Sequence, residues 1–122
     1  GNTGDIEVYS KKLYWLIEVT LIRNKTQMLN SETTSVIRHF LEDNKLNEYS
    51  QKYLSFVAPV IHQDTQYFYN YSIVMNKIKE KNFALKPYPI SDFVTTTIVN
   101  ENFEDMKNYT SQVIEDFRNN LN

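Results

Sequence analysis

Apolar positions recur at three- and four-residue spacing from the start of the chain. Ile6, Tyr9, Leu13, Leu16 and Thr20 keep that spacing, and Ile17 and Leu21 widen the stripe. A period near 3.6 predicts an amphipathic helix with a broad apolar face. Asp5 and Glu7 stand at its start, where the helix dipole favours acids. The pattern resumes at Met28, Leu29, Val36, Ile37, Phe40 and Leu41. One long, bent helix from Asp5 to Asp43 is favoured over two, although Ser31 is suited to cap a second.

Asn44 to Asn47 reads as a polar turn, and Glu48 to Val57 as a short helix ended by Pro59. A third helix is predicted from Gln63 to Lys81, with Tyr67, Phe68, Tyr71, Val74, Met75 and Ile78 as its stripe and Asn82 as its stop. Pro87 and Pro89 forbid a regular helix, so residues 83–90 form an extended or polyproline connection. Ser91 caps a segment through Val99. Its β-branched run from Val94 also suits a strand. Helix is favoured there, because a lone strand has nothing to pair with. The last helix runs from Glu101 to Leu121, capped by Asn100 or Asn102, with a seam of Phe103, Met106, Thr110, Val113, Phe117 and Leu121. These elements predict an all-α fold: an antiparallel bundle of about four helices, the first one long. Residues 1–122 form a single helical-bundle domain, with 1–4 disordered or left over from cloning.

Composition sharpens this picture mainly by subtraction. The 122 residues contain no glycine after Gly4. Glycine-rich phosphate loops, nucleophile elbows and tight hairpin turns are therefore missing. No cysteine is present, so disulfides and thiolate chemistry are excluded. A net charge of −2 gives no general attraction to nucleic acid or anionic membranes. No apolar run is long enough to span a bilayer.

Candidate chemistry is sparse. His39 and His62 lack metal-ligand spacing, and His62 is placed to cap the following helix. Glu101, Glu104 and Asp105 share one face, but they fall in a first helical turn, where acids are expected on dipole grounds. The basic run Lys77 to Lys81 reads as a solvated helix end. The aromatic surplus is the remaining signal. One helix stripe cannot bury all the rings of Tyr67-Phe68-Tyr69-Asn70-Tyr71, so Tyr69 is expected to point outward. Trp15 and Tyr88 join it as candidate binding residues. The sequence thus predicts a non-catalytic module that binds a protein partner or small molecule. The alternative is a structural oligomerisation domain built on the last helix's seam. No enzyme activity, cofactor, metal, nucleic acid or membrane contact by this segment is expected.

Two stretches carry a resemblance. Leu21 to Leu29 (LIRNKTQML) and Ile98 to Asp105 (IVNENFED) resemble uncharacterised bacterial proteins with one N-terminal membrane helix and a small helical soluble domain. That resemblance implies an extracytoplasmic or periplasmic domain cut from a membrane-anchored protein.

Overall fold

The computed structural model describes residues 5–28, 33–42, 49–95 and 99–121. It overturns the all-α bundle. Strands β1 (Asp5–Tyr9) and β2 (Leu13–Val19) come first, followed by helices α1 (Lys25–Met28) and α2 (Thr34–Glu42). Strand β3 (Gln51–Ala58), helix α3 (Gln63–Met75), strand β4 (Phe83–Pro89) and helices α4 (Ile90–Phe93) and α5 (Val99–Leu121) complete the order. The expected long first helix is a hairpin plus two helices, and the expected helix 48–57 is β3.

The four strands form one mixed sheet in the order β1-β2-β3-β4. β1 pairs antiparallel with β2, while β2, β3 and β4 run parallel. Parallel strands need long crossover connections, usually helices. Here α2 supports the first crossover and α3 forms the second, and both pack on the same face. That layer holds Val36, Ile37, Phe40, Tyr69 and Ile73 against Tyr14, Leu16, Leu54, Phe56 and Leu85. The opposite face buries Trp15, Ile17, Tyr53, Val57, Ala84 and Tyr88 beneath Met106 and Phe103 of α5. Because β2 and β3 are covered on both sides, they read as near-continuous apolar runs without alternation.

This architecture explains the missing glycine. Among the described residues only β1 and β2 are joined by a hairpin, through Ser10, Lys11 and Lys12, with the Ser10 N–H donating to the Leu13 carbonyl at 2.9 Å. The helix predicted to run to Lys81 ends at Met75 with Asn76 at its C-cap, so Asn82 is not its stop. Asn82 instead takes a left-handed conformation, with φ of 61°, in the turn that leads into β4. Pro87 and Pro89 lie in β4, an edge strand with a free side, where a missing N–H is tolerated. The extended reading of 83–90 thus survives as a strand. The helix predicted for 91–99 shortens to α4 ending at Phe93, and residues 96–98 lie outside the described part, as do 1–4, Ser31 and the turn at 44–47. Within α3 the buried face is Thr65, Tyr69, Ser72 and Ile73, leaving Tyr67, Tyr71 and Met75 exposed. The sequence stripe had the helix turned the other way.

Candidate active site

In parallel sheets, ligands gather where the strands' carboxyl ends open outward. At that edge β2 carries the one acidic side chain among the described residues that is buried in a strand. Glu18 is 4% exposed, and strand alternation sets it on the face of Tyr14 and Leu16. On β3 its register partner is Phe56, which is fully buried. On β1 its register partner is Asp5. Directly opposed residues of an antiparallel pair lie about 5 Å apart at their Cα atoms.

The surrounding loops are tied together. Thr20, two residues beyond Glu18, donates its backbone N–H to Val57 O at 2.9 Å and extends the β2–β3 ladder. Its hydroxyl accepts the Ile22 N–H at 3.2 Å, which turns the chain out of the strand. Asn24 Oδ1 accepts the Gln27 N–H at 3.0 Å and caps α1. His62 occupies the N-cap position of α3 but makes no side-chain cap there. Instead its Nε2 donates to the Arg23 carbonyl at 2.7 Å. That bond pins the loop after β3 to the loop after β2. Thr33 and Thr65, both fully buried, bring their hydroxyls within 3.4 Å of each other at the start of α2 and α3.

A second polar cluster sits on the opposite face. Asp105 of α5 accepts from Lys86 Nζ at 2.8 Å and from the Tyr88 hydroxyl at 2.7 Å, both residues of β4. Burial works against the Asp105 carboxylate, but the bonds from Lys86 and Tyr88 outweigh it and hold the carboxyl below its usual range. Burial, with the neighbouring Asp105 charge, drives the Tyr88 hydroxyl strongly upward. This cluster is an anchor between α5 and β4. Its hydroxyl is held neutral, and its ammonium and carboxylate neutralise each other.

The structure places Trp15 and Tyr88 in one core layer and Tyr69 in the other, so the three share no surface. Trp15 lies under α5, donating from Nε1 to Ser55 Oγ at 2.9 Å. Tyr69 is fully buried in the other layer, against Phe56. Tyr88 is 1% exposed and committed to Asp105. The expected outward Tyr69 is therefore corrected: its neighbours Tyr67 and Tyr71 take the outside. His39 is exposed on α2. Of the three acids expected in the first turn of the last helix, only Glu101 lies there, because α5 begins at Val99. Glu104 is exposed one turn on, and Asp105 is the acceptor of Lys86 and Tyr88. Sequence reasoning passed over Glu18, and it assigned Asp5 to a helix start. An acid interrupting the run Leu-Tyr-Trp-Leu-Ile-Glu-Val was the available signal.

The family model described as AlwI restriction endonuclease matches residues 1–96. No curated protein matches the chain. The match spans β1 to α4 and so contains the Asp5–Glu18 pair. It overturns four expectations. The resemblance to membrane-anchored helical proteins gives way to a nuclease family, and among the described residues no helix is long and apolar enough to cross a membrane. The non-catalytic module, and with it the structural oligomerisation domain, gives way to a family of enzymes. The exclusion of nucleic acid falls too, since the family is named for a DNA-cleaving enzyme. Net charge was the wrong guide: it sums the whole surface, whereas DNA contact depends on the local arrangement of cations.

Proposed function

As the chain belongs to the AlwI restriction endonuclease family, we propose that it hydrolyses DNA phosphodiester bonds at the carboxyl edge of its sheet, with Glu18 and Asp5 as the site's carboxylates. The observation that carries this reading is the register of Asp5 against the buried Glu18. A carboxylate inside a central strand is costly to fold around. Such local costs gather at functional sites.

Two carboxylates on adjacent strands fit a hard divalent cation such as magnesium, which keeps several waters and takes only one or two protein carboxylates. When bound, the cation supplies charge stabilisation to the phosphoryl oxygens and lowers the pKa of a coordinated water. The chain's own residues do the rest. Glu18 is held by strand pairing on both sides, so its position costs no reordering during reaction. Phe56 and Ala58, both fully buried, keep the sheet beneath the site dry. Thr20 and His62 fix the two loops that frame it. Arg23, exposed on the first of those loops, offers a cation toward the phosphate backbone.

The test is cleavage of supercoiled plasmid in magnesium by the chain and its variants. Glu18→Gln and Asp5→Asn should each reduce the rate at least about a hundredfold, in line with loss of one preorganised electrostatic partner. Glu7→Gln, at an exposed position opposite Leu16, should leave it unchanged. Folding is followed by circular dichroism. Full activity in both carboxamide variants, each folded, would remove Asp5 and Glu18 from the site.

A further inference from the structure

A pocket of about 230 Å³ opens between the turn after α3, the start of β4 and the middle of α5. Its apolar floor is Tyr53 and Ala84, Phe83 lines it while its ring packs against Phe40 in the other layer, and Lys79, Asn82, Lys107 and Ser111 supply polar groups. Lys79 and Lys107 come from different elements and line the same pocket only in the folded chain. Lys79 makes no ion pair with any described residue. Lys107 is paired only loosely, with Glu104 at 3.6 Å, where both side chains are about half exposed or more. Exposed pairs of that kind contribute little and exchange readily. Lys107 Nζ also lies 6.0 Å from the centre of the Tyr53 ring, over the floor.

Two cations above an aromatic and aliphatic floor, flanked by a carboxamide and a hydroxyl, match a phosphate group carried on a less polar body. The volume exceeds what a bare oxyanion fills and suits the phosphate with its attached sugar. The pocket lies at the amino end of β4 and beside Tyr53 near the amino end of β3, the reverse edge from Glu18. We propose that it is a second phosphate-ester site, separate from the carboxylate edge, in which Lys79 and Lys107 clasp the phosphate. This assignment does not depend on the reading of Glu18 and Asp5. The phosphate has two sources with the same chemistry: a backbone phosphate of DNA or a free mononucleotide.

The experiment titrates the intact chain with thymidine 5′-monophosphate and follows backbone amide shifts in NMR. Saturable movement at Lys79, Asn82 and Ser111 is expected. Lys79→Ala and Lys107→Ala should each weaken binding about tenfold, the loss expected for one charge-assisted contact. Glu18→Gln should leave it unchanged. Both lysines are exposed, and Lys79→Gln with Lys107→Gln provides a second pair of folded variants. In parallel, duplex DNA is bound over a salt series. A decrease of about one in the salt slope for the double variant identifies a backbone phosphate as the occupant. An unchanged slope with mononucleotide binding weakened in the same variant identifies the free nucleotide. If neither ligand shifts these amides saturably, or the lysine variants bind both as the parent does, the site does not exist.

Discussion

Replacing Asp105 with alanine should unfasten α5 from β4, and the loss can be worked from the contacts. The change removes the acceptor of the Tyr88 hydroxyl, a group on a side chain that is 1% exposed. A buried donor left without its partner costs about 1–3 kcal/mol. The change also removes the partner of Lys86, whose pairing with Asp105 at 2.8 Å is only partly shielded, with side-chain exposures of 26% and 35%. Solvent screening limits that pair to about 1 kcal/mol. The total is about 2–4 kcal/mol. For 122 residues the unfolding entropy near the midpoint is about 0.26 kcal/mol/K, so the melting temperature should fall by about 8–15 °C. Tyr88→Phe removes donor and hydroxyl together and should cost only about 1 kcal/mol. The assay is thermal unfolding of both single variants and the double variant, read as a cycle. The orphaned hydroxyl predicts that Asp105→Ala costs much less once Tyr88 is phenylalanine. The same carboxyl sets an acid limb. Its pKa is lower in the folded chain than in the unfolded one, so its stabilisation is present above about pH 4 and fades as pH falls through the lower folded value. Asp105→Ala should flatten that limb. A melting temperature within about 3 °C of the parent, or strictly additive variants, would refute the clasp.

Two further outcomes follow from other groups. Burial pushes the Tyr109 hydroxyl up to about 12, against a contrary hydrogen bond with Gln66, while the unfolded chain ionises it near pH 10. Its contribution is therefore complete below pH 10 and lost between 10 and 12, so Tyr109→Phe should soften the alkaline fall in urea-unfolding free energy; parallel curves would contradict it. Asn82 holds φ of 61°, so Asn82→Ala should cost about 1 kcal/mol while Asn82→Gly stays within about 0.5 kcal/mol of the parent. Equal losses in the two variants would mean that backbone conformation is not what Asn82 supplies.

The parts of the fold legible in the sequence were those that signal locally. α3 and α5 carry helical patterns over 13 and 23 residues, and the two prolines marked the extended course of β4. The first half misled for physical reasons. β2 is buried on both faces, so Leu13 to Ile17 is apolar without alternation, and such a run fits a buried helix equally well. The missing glycine argued against hairpins, and a sheet that is parallel over three strands needs almost none. The candidate site vanished with the strands. On a helix Asp5 and Glu18 would stand about 20 Å apart along the axis. In the hairpin they are opposed. No local spacing rule connects an acid at 5 with one at 18 unless the turn between them is recognised first. The aromatic residues signalled in the wrong sense: their number reflected a core filled by rings on both sides of the sheet.

The order of the strands also bears on how this chain reaches its native state. Asp5 and Glu18 are brought together by a hairpin whose ends are 13 residues apart. Leu13 pairs with Gln51 across 38 residues, and Lys52 with Phe83 across 31. Pairings at such separations are slow to close, because the chain surrenders its freedom before the contacts reward it. The β1–β2 hairpin is thus the most local part of the sheet. Of all the pairings in the sheet, the one that sets position 5 opposite Glu18 therefore asks the chain to close its shortest loop.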